Sequence, residues 1–411
     1  MAHLMPNISL PIRNLVRQKT RTAIAVSAIG FGVVSLLLAG GFIQWIFWAM
    51  REAAVYSQLG HIQVVRPGYL ANGQAEPYRY LLPAHSSALE SIRRMPYVKV
   101  VTPQLSFSGL VSHGDTTISF LGVGVDPEKD APLTRELHII RGQSLSPGDR
   151  NGIVLGDGLA ASLGVVPGDT VVLLATPEGG GINAVQVHVR GLFYTASKEY
   201  DDTALRVPIH LVRQLLRVNG AHRWLILLDH TDETNTVLHR LRERFPQASS
   251  GLKFVPWYDL ADFYRKTVRL FSRQMEVVWV IIALIIALSI SNTMIRGVLE
   301  RTGEIGTLMA LGTRRKSILW LFLAEGTLLG VIGGVLGVGI GVALAHGISA
   351  VGIPMPPAPG MSRGFTGAIR ITAPLVGSGM LLAVGTTVVA SFYPAWKASR
   401  LVIVDALRHN R

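Results

Sequence analysis

The residues able to do chemistry in this chain are present but not gathered. Nine histidines fall between residues 51 and 273: His61, His85, His113, His138, His188, His210, His222, His230 and His239. Metal-binding pairs recur at helical spacing, as in HExxH, so that two imidazoles share one face. None of the nine has such a partner, and surface or core histidines account for them better than a haem or metal site. Glu199, Asp201 and Asp202 form a local acidic group that a solvated loop explains as well as a cation would. The run Gly179–Gly181 lacks the following helix and basic residue of a phosphate cradle, and no G-x-x-x-x-G-K-[ST] or G-x-S-x-G occurs. With no cysteine, thiolate nucleophiles, thiolate metal sites and disulfides are all excluded. The expectation is a chain that is not an enzyme and holds no cofactor.

Spacing carries more information further on. Gly326, Gly330 and Gly334 lie four apart, as do Gly333, Gly337 and Gly341. Glycine at that interval lets helix backbones approach closely, so this segment is expected to pack on other helices. Between Ser291 and Ile318 a short amphipathic pattern appears. Glu300, Arg301 and Glu304 form its polar side, and Ile305, Leu308, Met309 and Leu311 its apolar side, with Gly312 as its end. Such a helix either lies in the membrane interface or docks into a partner's groove.

The elements that hold these residues follow from hydropathy. Of 411 residues, 49% are apolar and 16% charged, too apolar for an ordinary soluble domain and too polar for a chain wholly in lipid. Four stretches are long and apolar enough to span: about Thr22–Met50, Val277–Ile295, Ser317–Ala345 (interrupted by Glu325) and Ala373–Trp396. The first is too long for a cleaved signal peptide, and no small-x-small site follows it. Its basic lead (Arg13, Arg17, Lys19, Arg21), the Arg296–Lys316 segment and the tail (Lys397, Arg400, Arg408, Arg411) concentrate positive charge on one side. By the positive-inside rule both termini are cytoplasmic and residues 51–273 face outward. Arg265, Lys266, Arg269 and Arg273 oppose this, but long translocated domains follow the rule weakly. The net charge of +13 is therefore read as topological, and no nucleic acid is expected as a partner.

Within 51–273 the pattern is α+β. Strands are expected at His61–Val65, Val98–Val101, Thr116–Val125, Ile153–Leu155, Thr170–Leu174, Val185–Val189 and Trp224–Leu228. Helices are expected at Ser86–Met95, Gly158–Leu163, Pro208–Arg217 and Glu233–Phe245, the last capped by Thr231-Asp232. Trp257–Gln274 reads as helix continuing into the second span.

The run NTMIRGVLERTGEIGTLMALGTRRKSILWLFLAEGTLLGVIGGVLG resembles the signature region of FtsX-like/MacB-type ABC transporter permeases. RNLVRQKTRTAIAV resembles the family's amphipathic entry helix and GHIQVVRPGY its first outer strand; GVDPEKD, GDGLAASLGVVPGD and VRGLFYTASKEYDD are similar to the outer domain of the lipoprotein-releasing branch, and YPAWKASRLVIVDALRHN to the family's ending. The family's usual proline in that ending is replaced around Val402–Val404. The resemblance implies a bacterial inner-membrane protein of nine segments. These are a cytoplasmic amphipathic lead helix (1–21), the first span (22–50), a periplasmic α+β domain (51–273) and the second span (274–296). A cytoplasmic coupling helix (297–316), the third span (317–346), a short periplasmic loop (347–372), the fourth span (373–396) and a cytoplasmic tail (397–411) follow.

The resemblance further implies two copies of a separate ATPase, which binds ATP and Mg, and a second permease, identical or related. A periplasmic carrier or adaptor and membrane lipid complete the expected partners. Glu300, Arg301, Glu304, Ile305, Gly306, Leu308, Leu311 and Gly312 become ATPase contacts, and mechanotransmission becomes the mode of action. A substrate cavity between the first two spans would be lined by Phe31, Leu36, Leu38, Phe42, Ile46 and Phe47 with Val278, Ile282 and Ile285. Release of a lipoprotein or lipid-like substrate is the leading expectation. Efflux of drugs, peptides or haem and control of a cell-wall hydrolase are the alternatives.

Overall fold

A computed structural model of the chain describes residues 17–73, 75–357 and 363–402. Most of the expected lead helix, with Arg13, lies outside them, as do the tail from 403 with Arg408 and Arg411 and the altered positions 403 and 404. Two compact units emerge. One is drawn from the described residues of Met1–Phe47, Thr267–Met355 and Thr366–Arg411, and the other from those of Trp48–Lys266 and Pro356–Phe365.

The first unit is helical. Among the described residues, four helices are long and apolar enough to cross a membrane: Lys19–Leu59, Asp262–Glu300, Arg315–Val351 and Ala373–Ser399. The first is α-helical over Lys19–Ala54 and ends in a π turn, Val55–Leu59. Ile29, Val33, Leu36, Ile286, Ile290, Phe322, Leu329 and Leu382 form the centre of its buried core. Two helices extend beyond their apolar stretches, because Arg51 and Asp262–Arg273 continue the helical backbone outside the greasy segment.

The second unit is built on a ten-stranded mixed sheet. In chain order its strands are β1 (Ile62–Val65), β2 (Val98–His113), β3 (Thr116–Val125), β4 (His138–Gly142) and β5 (Gly152–Gly156). β6 (Thr170–Ala175), β7 (Asn183–Tyr194), β8 (Ala204–Pro208), β9 (Arg223–Leu228) and β10 (Lys253–Pro256) complete it. The spatial order is β10-β1-β9-β2-β3-β8-β5-β7-β4, with β6 pairing both β2 and β7. Helices Ser87–Arg93 and Thr234–Arg244 cover one core, around Trp224, Leu89 and Val237. Asp157–Leu163 and Ile209–Leu216 cover another, around Leu105, Leu155 and Leu173.

Several expectations need correction. β2 runs through His113 rather than stopping at Val101, because it changes partners midway. Val98–Gln104 pair with β9, and Leu105–His113 with β3. Pro103 is tolerated because this half of β2 has a ladder on one side only. Strands β4, β8 and β10 were not expected from pattern. Thr231-Asp232 do not cap the helix after them; they form a 3₁₀ turn, and the helix begins at Thr234 behind Glu233. The segment from Trp257 breaks at Ala261 (φ −91°, ψ 66°) before the long helix starts at Asp262.

Candidate coupling helix and membrane cleft

The short helix between the second and third long helices covers Thr302–Ala310. Arg301 (φ −108°, ψ 14°) separates it from the preceding helix, so Glu300 is the last residue of that helix. Gly312, at φ +92°, provides the left-handed stop. Its two faces differ from the sequence pattern. Ile305, Gly306 and Met309 are buried with Ile318 and Phe322, and so is Arg301, which pairs with Glu325 at 3.6 Å. Leu308 and Leu311, expected on the apolar side, are 42% and 80% exposed. Residue type alone does not separate the two sides, because an exposed leucine and a core leucine look alike in sequence.

The outward face is tethered. Glu304 meets Arg17 at 3.5 Å, and Glu300 meets Arg21 at 3.9 Å and Gln18 at 3.4 Å. Gln18 Oε1 also accepts from Arg21 at 2.7 Å. These exposed pairs contribute little energy singly, and they set geometry more than stability. The apolar inner face carries the anchoring. The helix therefore presents Glu304, Leu308 and Leu311 outward from a fixed base.

The glycine rows divide between two neighbours. A Cβ at Gly337 would lie 2.8 Å from Val33 Cβ and 2.9 Å from the Gly30 carbonyl oxygen, and one at Gly333 would lie 2.7 Å from Ile29 Cβ. Gly341 faces Leu37. The other row turns to the fourth long helix: Gly326 against Ser391, Gly330 against Thr387 and Gly334 against Met380 and Ala383. One helix thus packs on two others through one glycine row each.

A cleft of about 440 Å³ opens between the first, second and fourth long helices. Leu36, Gly40, Ile43, Gln44 and Phe47 line it from the first, and Ser272, Met275, Glu276, Trp279 and Val280 from the second. Of the expected cavity residues, only Leu36 and Phe47 are there. Phe31, Leu38 and Phe42 sit on the far side of the first helix, about 120–160° from Leu36 at 100° per residue, and Ile46 lies about 80° to one side of it. Val278 and Ile285 are likewise turned away from Ser272, Glu276 and Trp279. Ile282 instead meets the first helix at Gly32, whereas Phe31 and Ile285 are 75% and 59% exposed. The 3–4 spacing of Gly40, Ile43, Gln44 and Phe47 was the available signal.

In the sheet unit the acidic group is structural. Asp201 is buried and accepts from the Thr195 N–H at 2.9 Å and the Thr195 hydroxyl at 2.8 Å; burial pushes its carboxyl above the usual range, against those bonds. Asp202 pairs with Lys198 at 2.7 Å. Among the described residues no group of three or more His, Asp or Glu is placed to hold a metal ion.

Comparison with known proteins converges with this architecture. The family model of the MacB-like periplasmic core domain matches residues 22–244, more than half of the chain, and that of the FtsX-like permease C-terminal region matches 277–403. The lipoprotein-releasing system transmembrane protein LolC of Xylella fastidiosa is 27% identical over 322 residues, covering 70% of this chain and 72% of that protein. The macrolide export ATP-binding/permease protein MacB of Chromobacterium violaceum is 26% identical over 420 residues, which is 95% of this chain and 58% of MacB. The crystal structure of the periplasmic region of MacB from Actinobacillus actinomycetemcomitans covers half of this chain at 14% identity and a TM-score of 0.37, too slight to carry an argument. Both family models apply to one chain, in the order of its sheet unit and its last three long helices, and the chain belongs to the FtsX-like/MacB-type family of ABC transporter permeases.

Proposed function

We propose that this permease couples ATP hydrolysis by a separate ATPase to release of a lipoprotein or lipid-like substrate from the inner membrane into the periplasm. The observation that carries this reading is the outward face of the Thr302–Ala310 helix. Leu308 and Leu311 are exposed beside Glu304, while Ile305, Gly306 and Met309 hold the helix from behind. An amphipathic helix with its apolar positions turned out is built to seat in a groove. Arg301, Ile305 and Gly306 act as its support, and Glu300, Glu304, Leu308, Leu311 and Gly312 as the contact. ATP and Mg belong to the partner, and the chain itself is not an enzyme. Two permeases, alike or related, work with two ATPase copies, and ATPase closure is transmitted through the long helices to the sheet domain. The sheet domain lies in the periplasm, where a carrier or adaptor protein receives the substrate, and both termini are cytoplasmic.

The mostly apolar cleft, with Gln44 and Glu276 at its lining, is suited to an amphiphile presented from lipid. Export of a free amphiphile is the second reading, favoured by the relative named for macrolide export, which matches 95% of this chain.

The test is ATP hydrolysis by the chain reconstituted in lipid with its ATPase. Glu304→Lys and Leu311→Asp should each cut stimulated hydrolysis by about tenfold or more, the scale of losing an interface hot spot. Stimulation by an acylated protein supports release, and stimulation only by a soluble amphiphile supports export. Hydrolysis indifferent to both substitutions would sink the coupling role.

A further inference from the structure

A second cleft lies at one end of the sheet unit, with a volume of about 450 Å³ and walls formed by Arg94, Met95, Pro96, Arg240, Glu243 and Arg244. Its charge is one-sided. Three guanidinium groups face a single carboxylate, and that carboxylate, Glu243, is approached by His239 Nδ1 at 3.2 Å. Arg94, Arg240 and Arg244 are exposed, with no carboxylate within ion-pair distance among the described residues.

Two of the guanidinium groups also lie against aromatic rings. Arg240 lies over the Tyr97 ring at 5.6 Å and Arg244 over the Phe245 ring at 6.0 Å. Tyr97 has φ +70°, one of two non-glycine residues with positive φ among the described residues. A bulky side chain adopts that conformation only where its surroundings impose it. Here the Tyr97 carbonyl accepts from the Asp229 N–H at 3.1 Å, and the ring, 44% exposed, lies beneath Arg240. The favourable field of the helix C-terminus explains an arginine at 244. It accounts equally for Arg94, which caps the helix Ser87–Arg93, but not for Arg240, a turn earlier on a strained tyrosine.

Guanidinium is planar and donates in pairs, which matches the oxygens of a phosphate. The open cleft leaves room for a small anionic group beside the three arginines. The geometry points to a binding site for a phosphate ester group in this cleft, with Arg94, Arg240 and Arg244 as its ligands. The phosphate comes either from a soluble compound or from a lipid headgroup. The site is independent of the transport reading.

The experiment is titration calorimetry on the full chain in a zwitterionic detergent, with two probes: inorganic pyrophosphate and short-chain dihexanoylphosphatidic acid. Saturable binding of at least one is expected. Arg94→Gln and Arg240→Gln should each weaken it at least tenfold. Arg240→Lys, which keeps the charge but loses the paired donors, should weaken it less. Arg150→Gln, an exposed site on the same unit but outside the cleft, should leave it unchanged. Thermal midpoints establish that each variant is folded. Preference for pyrophosphate assigns the site to soluble phosphates, and preference for the lipid assigns it to headgroups. Binding of neither probe overturns the proposal, as does binding equally reduced by Arg150→Gln. Binding of poly-glutamate without either probe also overturns it, in favour of an acidic protein partner.

Discussion

His61 and His222 each spend both ring nitrogens inside the sheet unit. His61 Nδ1 accepts from the Leu228 N–H at 3.0 Å and Nε2 meets the Thr231 hydroxyl at 3.0 Å. His222 Nδ1 accepts from the Ser106 N–H at 3.1 Å, and Nε2–H donates to the Pro77 carbonyl at 3.0 Å. A ring that accepts at Nδ1 must be neutral there. Burial, aided by Arg51, pushes His61 down to about 4, and burial, with a smaller contribution from Arg223, does the same to His222. In the unfolded chain both titrate near ~6.5. The unfolded state therefore takes up protons first as pH falls. Stability is full above pH ~6.5 and declines towards pH 4, with a loss of about 2 kcal/mol per histidine by pH 5. Thermal unfolding in detergent at pH 7.5 and 5 should show a clear drop in midpoint; an unchanged midpoint would contradict the neutral, buried assignment. No such role was visible in the sequence, where these two looked like the other seven. Their neighbours at 104–106 and 224–228 are brought in by strand pairing across more than a hundred positions.

At the scale of elements, the glycine rows give the sharpest contrast. Gly337 has Val33 Cβ and the Gly30 carbonyl within 3 Å of where a Cβ would sit, whereas Gly339, two positions on, has nothing within 4 Å. Alanine exceeds glycine in helix propensity by about 1 kcal/mol. Gly339→Ala should thus be neutral or stabilising, and Gly337→Ala should lower the folded yield and thermal midpoint, because backbone and Cβ atoms cannot step aside. Equal tolerance at both positions would rule out the close crossing of the first and third long helices. This part of the fold was legible, since glycine spacing and long apolar runs report directly on helix packing and length. Orientation about a helix axis was less so. Leu38, Phe42 and Ile46 are apolar but out of phase with the cleft, which is lined by the residues in phase with Gly40. Strands Ala204–Pro208 and Lys253–Pro256 are short and almost wholly buried, so neither shows an alternation that a single sequence can reveal.

For the whole molecule, sidedness can be read with unusual economy, because the chain has no native cysteine. Leu311→Cys and Ile182→Cys, both at residues about 80% exposed, each introduce a sole thiol. In intact cells with a permeabilised outer membrane, an impermeant maleimide should label the thiol at 182 and spare the one at 311. Inverted vesicles should give the opposite result, and the reverse pattern would turn the topology over. The same sheet unit has a mechanical property in its longest strand. β2 hands its pairing from β9 to β3 at Gln104/Leu105. Around that handover Gln104 donates to Asp130 at 3.0 Å and accepts from Arg223 at 3.1 Å, while Arg206 pairs with Asp130 in the interior. A pull along β2 meets two ladders in shear, with their bonds loaded together instead of peeled in turn. One strand thereby ties the two halves of the sheet together, each half along its own ladder.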